Sequence, residues 1–480
     1  MRFTFRLLAK AALLAALMPL PAAHAEDGDG PPISFDTADD FSQLRGTDPG
    51  QPVEIGTAPP GYPGTVADQV EDGRIGRAER EAPITGEEGE APQGRRRAPD
   101  ARDETSYDPL GIRLGSFILL PAIELRGGYT SNAAGSSTGG PSGVLTAAPD
   151  IVLRSDWDRH ELGFALKGAY DYYTDTSVAP NPVLYVEGNG RIDLPQDWAL
   201  RLKADYDYQT QSTDSLDYPT GATNPPGVNT FDGGATLDGH FGKTVFQLRS
   251  TGTYTDYEDG WDGDTRIYQG YRNNLLTSGA VRVGYQVTPS IAPFVETQLS
   301  RRSFNQANAQ DGINRDSSGV TIRGGIAYSA DPILKGEIAL GWRREIYDDP
   351  AFADVGAPTI DASLIWSPSP LTEIGFIAAT YIDATDDPNA SSSLVYDLGL
   401  TVKRFVRRNF TLEGDLGWRH EHYEGTDQSD ITYEAGMTAT WKLNREAWLV
   451  GRLSQEYYVS AEPGGNYPTT TATIGIRLQR

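Results

Sequence analysis

The sequence contains no cysteine. This absence excludes disulfide bridges, thiol catalysis and zinc sites with cysteine ligands. Beyond residue 25 the sequence also lacks any run of ~18 apolar residues, the length that a transmembrane helix needs. A chain with a mean hydropathy of −0.44 would ordinarily be assigned to the soluble secreted proteins. A membrane β-barrel is the exception, because only alternate residues of its strands face lipid and its sequence therefore stays polar on average.

Positive charge is also scarce. The chain has 41 Lys and Arg against 66 Asp and Glu, which gives a formal net charge of −25 at pH 7. Residues 26–110 hold 20 acidic residues and eight arginines, so this segment alone contributes about −12. Because contacts to phosphates need a basic surface, we expect no nucleic-acid partner.

The N-terminal 110 residues divide into two parts. Residues 1–25 carry three basic residues ahead of an apolar core and end in Ala-His-Ala, which predicts a signal peptide with cleavage near Glu26. Residues 26–110 are rich in Pro, Gly, Asp and Glu and contain only four aromatic residues. Such a segment buries too little apolar surface to offset the entropy of ordering. We predict a mostly disordered periplasmic segment, with a plug folded inside a barrel as the alternative.

From about residue 115 apolar and polar residues alternate with a period of two. In DITYEAGMTATWKL (430–443), Tyr433 and Trp441 share one parity and Glu434 takes the other. The stretches WALRLKADYDYQ (198–209) and SLVYDLGLTVK (393–403) repeat this pattern. Successive side chains of a strand point to opposite sides of a sheet, so the pattern predicts strands with one apolar and one polar face.

Short turn signals divide this part of the chain at intervals of roughly 40 residues. The eight signals are DWDRH (156–160), LPQDW (194–198), FGKT (241–244), VTPSI (287–291), SADPI (329–333), SPSPL (367–371), VRRNF (406–410) and KLNRE (442–446). Longer segments rich in Asp, Gly, Asn and Pro lie between them. Short turns at one end and long loops at the other are typical of transmembrane barrels.

The turn count sets the fold prediction. Eight short turns join sixteen strands, and one strand before the first turn and one after the last make eighteen. We predict an all-β fold over residues 111–480, a transmembrane antiparallel up-and-down β-barrel of about 18 strands. Sixteen strands is the alternative if an irregular pair, around 214–235 or 371–383, is loop. An even number places both termini in the periplasm.

Tryptophan positions predict two aromatic belts, since the indole has an apolar body and a polar N–H. Five tryptophans lie within a few residues of short turns, and two lie about ten residues along their strands. The near group is Trp157, Trp198, Trp366, Trp441 and Trp448, and the far group is Trp342 and Trp418.

The polar parity of the strands predicts the lining of the barrel. The candidate lumen-lining residues are Arg201, Lys203, Asp205, Arg249, Arg282, Glu296, Arg323, Glu337, Arg343, Asp397, Glu413, Glu434 and Arg452. Their signs nearly balance, which favours either weak ion selectivity or ion-paired ladders on the inner wall. Barrels of 16 to 18 strands leave an aqueous channel unless a loop or plug fills them. The long loop over about 209–230 is a candidate constriction.

Other clusters have simpler explanations than catalysis or metal binding. The DRH cluster at 158–160 lies in a predicted tight turn, where aspartate is favoured because it bonds backbone amides. The stretch GHFGKT at 239–244 lacks the leading glycine of a phosphate-binding loop. The HEH at 420–422 offers two imidazoles, which is not a closed metal site. The acidic loop at 256–264 lacks EF-hand spacing and favours a solvated surface over calcium binding. We therefore predict no catalytic, cofactor-binding or metal-binding residues.

Two consecutive blocks carry a family resemblance. The block GIRLGSFILLPAIELRGGYTSNAA, followed by PDIVLRSDWDRHELGFALKGAYDYY, resembles the β-barrel porin 2 family of Gram-negative outer-membrane barrels. The resemblance covers about residues 110–480. It implies an outer-membrane barrel whose relatives are often associated with exopolysaccharide production and export, and it implies no established catalytic residues. One departure is the ending GIRLQR, because many barrels end on an aromatic residue.

The expected function is a porin-like channel for small hydrophilic solutes, supported by barrel size and a polar lumen. The alternative, implied by the resemblance, is an outer-membrane component of exopolysaccharide export or surface assembly.

An enzyme is disfavoured because the four histidines after residue 25 are not placed beside a nucleophile. A TonB-dependent transporter is disfavoured because the barrel is too short for 22 strands. Outer-membrane lipids and lipopolysaccharide are the expected partners, joined by polysaccharide or export machinery under the alternative; no cofactor is expected.

Overall fold

A computed structural model describes residues 107–211, 213, 217–308, 312–330, 333–385, 387, 389–460 and 464–480. The predicted signal peptide and nearly all of the predicted periplasmic segment lie outside these ranges. The strands are β1 Ile112–Leu114, β2 Phe117–Thr130, β3 Ser142–Ser155, β4 Glu161–Tyr173, β5 Asn181–Asp193, β6 Ala199–Thr210, β7 Gly227–Phe241, β8 Thr244–Tyr257, β9 Gly260–Asp262, β10 Thr265–Ile267, β11 Asn274–Tyr285, β12 Ile291–Phe304, β13 Ser317–Ala330, β14 Leu334–Tyr347, β15 Val355–Ser369, β16 Thr372–Asp383, β17 Ser393–Arg407, β18 Phe410–Tyr423, β19 Ser429–Lys442, β20 Ala447–Val459 and β21 Tyr467–Gln479. Two short 3-10 turns cover Pro195–Asp197 and Gly270–Arg272.

Eighteen long strands form one closed antiparallel sheet. Each pairs with its neighbours along the chain, and β8 pairs with β11 because the small β9–β10 hairpin lies within the loop between them. The last strand, β21, pairs with β2 and closes the barrel. The predicted up-and-down barrel is confirmed, with 18 strands. Both regions that the 16-strand alternative assigned to loop contain strands, β7 and β16.

The two ends of the barrel differ in the length of their connections. The eight short connections coincide with the eight predicted turns and lie together at what we call the short-turn end. The start of β2 and the end of β21 lie at this end too, because β2 runs away from it and β21 returns to it. The other nine connections lie at the opposite, long-loop end, and all of them except the five-residue β18–β19 loop are longer than any of the short turns.

Backbone conformation explains two of the tight turns. Gly242 has a φ of +59° in the two-residue turn between β7 and β8, a conformation that glycine adopts without steric cost. His160 also has a positive φ, 65°. Its N–H donates to the Asp193 carboxylate at 2.9 Å, and its Nδ1 accepts from the Asp193 N–H at 3.0 Å. The cluster at 158–160 is therefore part of a turn.

No helix in the described part of the chain is long and apolar enough to cross a membrane.

The two faces of the sheet have opposite chemistry. Large apolar side chains of one parity are exposed, among them Leu299 at 62% and Leu340 at 61%. Charged side chains of the other parity are buried, among them Arg282 at 2% and Glu296 at 1% exposure. This distribution is inverted relative to a soluble protein, whose apolar residues are the buried ones. It suits a barrel whose outer face contacts lipid.

One tryptophan was assigned wrongly. Trp366 and Trp441 are exposed near the short-turn end, and Trp342 is exposed further along its strand. Trp448, however, has the parity of Arg452 rather than that of the exposed Leu453. It lies on the inner face, where the Lys442 ammonium is 4.6 Å from its ring centroid, so its prediction as a belt residue was wrong.

The wall is irregular between β15 and β16. These strands pair only over their halves nearest the short-turn end, up to Ala362 opposite Ala378. Toward the long-loop end, Val355 of β15 packs in a buried apolar cluster with Ile382 and Leu394 of β16 and β17. Val355 has the inner parity and the other two have the outer parity. The half of β15 nearest the long-loop end therefore lies over the outer face of β16 and β17 instead of pairing with β16.

Thr380 supplies the hydrogen bonds that the missing strand pair would have made. Its hydroxyl accepts from the Ile360 N–H at 3.0 Å and donates to the Ile360 carbonyl at 3.2 Å. Backbone polar groups without partners are costly inside a membrane. This side chain therefore helps the wall tolerate the overlap.

We expect a chain lacking residues 26–106 to fold into the barrel. All the strand pairs described here lie between Ile112 and Gln479, so the deletion removes none of them. The measurement is migration on a detergent gel with and without heating, in which a folded barrel migrates differently from the heated chain. A shortened chain that shows no such difference would contradict the division into an N-terminal segment and an independent barrel.

Candidate functional site

The inner wall from β8 to β15 carries a ladder of ion pairs. The Glu296 carboxylate on β12 accepts hydrogen bonds from Arg282 at 2.7 Å, Arg323 at 2.5 Å and Arg249 at 3.3 Å. Arg282 also donates a hydrogen bond to the Glu337 carboxylate at 2.6 Å, and Arg323 donates one to the Asp361 carboxylate at 2.7 Å. Charge-assisted hydrogen bonds of this kind are stronger than neutral ones. Three of these contacts, Arg249–Glu296, Arg282–Glu337 and Arg323–Asp361, join strands that share no backbone hydrogen bonds.

The number of strands that these contacts span shows which face of the sheet is the concave, inner one. Arg282 lies on β11 and Glu337 on β14, three strands further around the sheet. Side chains converge on the concave face of a closed sheet and diverge on its convex face. A contact across three strands therefore places both side chains inside the barrel.

The other predicted lining residues share this face by strand register. The contacts made by several of them are Arg201–Asp238, Lys203–Glu187, Lys203–Asp205, Arg343–Glu345, Tyr381–Asp397 and Arg452–Glu124. Glu413 lies opposite Lys403, and Glu434 lies opposite Glu456. The structure thus brings the thirteen residues to one face in several paired groups. Their role in lining a conducting pore stays a prediction.

Several members of these groups were not predicted from the sequence, and three charged residues are examples. Glu124 and Arg126 on β2 are buried and joined by a 2.7 Å ion pair, and Asp361 ends the ladder on β15. All three have the inward parity of their strands. Consistent use of the alternation would have found them, although it would not have identified their partners.

Loops at the long-loop end meet across the mouth of the barrel. Asp217, in the β6–β7 loop, accepts a hydrogen bond from the Thr385 hydroxyl at 2.8 Å and lies 3.5 Å from the Arg272 guanidinium. Thr385 belongs to the β16–β17 loop, eight strands away from the β6–β7 loop in one direction and ten in the other. These loops are nearly opposite each other. The loop predicted as a candidate constriction therefore reaches across the opening.

Two further arginines hold the β16–β17 region toward the interior. Arg302 on β12 donates to the Ile382 carbonyl at 3.2 Å, and Arg315 donates to the Asp387 carbonyl at 3.0 Å. Both contacts join strands or loops four strands apart, so they cross the inside of the ring. The overlap of β15 over β16 permits this inward position. The β16–β17 loop thus narrows the mouth.

A small recess remains between these loops, open to solvent. Its walls combine aromatic, amide and guanidinium groups, and the Arg272 guanidinium lies 4.0 Å from the centroid of the Tyr257 ring. The residues that line the recess are Tyr257, Tyr271, Arg272, Phe304, Gln306, Asn308, Ile313, Arg315, Ala384 and Thr385.

An exposed ion pair lies at the long-loop end of β12. Arg301 donates two hydrogen bonds to Asp348, at 2.8 and 2.5 Å. These hydrogen bonds from the guanidinium lower the pKa of the Asp348 carboxyl below its ordinary value. The pair consequently stays charged under mildly acidic conditions and joins β12 to the β14–β15 loop.

The remaining sequence clusters lie at separate places. His420 has the outward parity and stacks on Trp418, with ring centroids 5.9 Å apart. The stretch at 239–244 includes the β7–β8 turn. Over the ranges that the structure describes, no group of three or more His, Asp or Glu side chains is placed to hold a metal ion.

Comparison with solved structures finds distant barrels. The chain is similar to the siderophore receptor PirA from Pseudomonas aeruginosa, with 9% identity and a TM-score of 0.37 over 75% of this chain and 80% of that chain. It is also similar to the copper transporter OprC, with 9% identity and a TM-score of 0.41 over 77% of this chain and 81% of that chain. Similarity at this level carries no argument about function.

A comparison with curated proteins found no match. A comparison with family models matched residues 104–480 to the family described as "Putative beta-barrel porin 2". The match spans the whole barrel and confirms the family resemblance of the opening strands. This chain belongs to that family of outer-membrane β-barrel proteins.

Proposed function

We propose that this protein is a porin-like channel that lets small hydrophilic solutes cross the outer membrane. The observation that carries the proposal is the closed 18-strand barrel with a charged inner face. Barrels of 16 to 18 strands are wide enough for an aqueous channel. Under this proposal the short-turn end and both chain termini face the periplasm, and lipids, including lipopolysaccharide, cover the outward apolar side chains.

The paired charges of the inner wall support a weakly selective channel. A ring of one sign would select ions by charge. Here the arginines of the ladder alternate with carboxylates that accept their hydrogen bonds, as Glu296 does for three of them. Because the positive and negative charges of the ladder compensate each other, the inner wall is polar but its net electrostatic field is small. We infer that solute size matters more than solute charge.

The loops at the mouth of the barrel support a limit on the size of the solutes that can enter. The contact between Asp217 and Thr385 carries a loop across the opening, and the Arg302 contact holds β16 inward. A solute entering from the long-loop end meets this narrowing first. The narrow recess beside it is lined by polar and aromatic side chains.

The test is the single-channel conductance of the full mature protein in planar lipid bilayers. Stable open steps, with similar permeability for small anions and cations, are the expected result. A folded and inserted barrel that conducts no current would overturn the proposal.

A role in exopolysaccharide export or surface assembly is the second candidate. The family resemblance carries this candidate, because the tyrosines on the inner face near the long-loop end are buried and already packed rather than open to a sugar ring. Tyr458 and Tyr467 stack on each other with centroids 5.2 Å apart, and Tyr381 is 2% exposed. A silent barrel whose producing cells lose surface polysaccharide on deletion would support this candidate over the channel.

We expect Asp217→Ala to raise the conductance, or the time spent in the largest open step, several-fold. The change removes a hydrogen bond and an ion pair that hold the loop across the mouth, and contacts to a charged group contribute roughly 1.5–3 kcal/mol. The control is Asp427→Ala in the exposed β18–β19 loop, which leaves this bridge intact. Equal conductance in the two variants would show that the β6–β7 loop does not limit the pore.

A further inference from the structure

We propose that residues 26–106 of this chain dock, through their acidic side chains, on a basic and aromatic surface of the inner wall at the short-turn end. We call this the inner-rim surface and define it by Lys442, Trp448 and Arg477. The inference goes beyond the proposed channel function, because the barrel can conduct whether or not its own N-terminal segment binds inside it.

The first described residues of the chain already contact this surface. The Asp108 carboxylate accepts a hydrogen bond from the Lys442 ammonium at 2.9 Å. Lys442 ends β19 and lies opposite Trp448, which in turn lies opposite Arg477. All three have the inward parity of their strands. Residue 108 is thus placed at the inner side of the rim, not on the lipid side.

The connection between the N-terminal segment and the barrel wall also places this segment on the inner side of the rim. Strand β1 pairs with Phe117–Leu119 of β2, along the edge that β21 leaves open because its own pairing stops at Ala122. Gly111, just before β1, has a φ of +72°, and a Cβ there would lie 2.7 Å from the Ile118 side chain. This close turn leads the chain from the inner rim into the wall. The preceding residues therefore start from the lumen entrance.

The inner-rim surface offers donors suited to carboxylates. The Trp448 indole N–H is buried and has no hydrogen-bond partner among the residues that the structure describes. The Lys442 ammonium and the Arg477 guanidinium lie 4.6 and 5.9 Å from the centroid of its ring. Arg477 also donates to Asp150 at 2.7 Å. An indole donor between two cations is a favourable place for an additional carboxylate.

Charge complementarity identifies the occupant. Residues 26–106 contain 19 acidic residues against eight arginines. Arg407, Arg408 and Arg445 are exposed in the two turns beside the inner-rim surface, which extends the positive region. On β5 and β6, Arg191 and Arg201 are likewise paired, with Asp193 and Asp238, but the adjoining β5–β6 turn at 194–198 contains no Lys or Arg. The acidic segment is therefore expected to prefer one side of the lumen.

Cysteine crosslinking in the full-length chain tests this preference. The protein has no native cysteine, so each introduced pair reports one contact. The test pair is Glu88→Cys with Thr438→Cys, on the inner face of β19. The matched control is Glu88→Cys with Thr236→Cys, on the inner face of β7 at a similar distance from the short-turn end. Twenty residues from Asp108 span up to ~70 Å, so the tether reaches both positions.

We expect about ten-fold more crosslinking for the Thr438 pair than for the Thr236 pair, because complementary charge raises the local concentration of a charged segment by at least that order. Raised salt and Lys442→Gln are expected to reduce the difference, with heat-dependent gel migration confirming that the Lys442→Gln barrel is folded. Equal crosslinking of the two pairs, or none in a folded barrel, would overturn the proposal. Conductance of the same protein is a separate readout, so failure here leaves the channel proposal standing.

Discussion

A Glu296→Gln variant is expected to lose about 3–5 kcal/mol of folding free energy, the usual loss when one partner of a buried ion pair is removed. The Glu296 carboxylate accepts hydrogen bonds from three arginines and is 1% exposed. Glutamine keeps the size of the side chain but removes its charge. Glu337 and Asp361 then remain as the compensating charges for Arg282, Arg323 and Arg249.

The measurement is the unfolding midpoint in urea, in lipid vesicles, of the variant and of the unchanged protein. The control is Asp354→Asn, which breaks an ion pair with Arg344 whose side chains are 58% and 36% exposed. Exposed pairs contribute about 0–1 kcal/mol, so the control is expected to unfold near the original midpoint. If the two variants lose the same stability, the ladder is not a buried network.

The second large effect is expected from arginine on the outer face. Leu453→Arg, near the middle of β20 and 46% exposed on the outward parity, places a charge where the barrel contacts lipid. Arginine on the lipid face near the bilayer midplane costs about 2–4 kcal/mol. Ser454→Arg is the matched control, because the next residue has the inward parity and is also exposed. Its arginine would point into the lumen, where water solvates it.

Insertion into vesicles and the urea midpoint both report this difference. Leu453→Arg is expected to insert less efficiently and to unfold at lower urea, while Ser454→Arg stays close to the original protein. The reverse order would mean that the two faces are assigned the wrong way round. Because the residues are adjacent in one strand, position along the barrel does not explain the difference.

Local patterns in the sequence were sufficient to predict the barrel itself. Turn formation depends on a few neighbouring residues, and the eight predicted turns coincide with the eight short connections. Side-chain direction in a strand depends only on parity, so the alternation separated exposed Leu299 from buried Glu296. The family match over residues 104–480 agrees with this derivation. The Trp448 assignment failed where proximity to a turn was used in place of parity.

The tertiary structure alone decided which residues meet. Arg282 and Glu337 come together because closure and curvature bring β11 and β14 side chains to one point, and parity carries no information about such distances. Asp217 and Thr385 are 168 positions apart in the sequence. They meet only because the closed barrel places their two loops on nearly opposite sides of its mouth. The overlap of β15 on β16 likewise has no local signal. A strand's face is set by its own residues, whereas its contacts across the barrel depend on the arrangement of all eighteen strands.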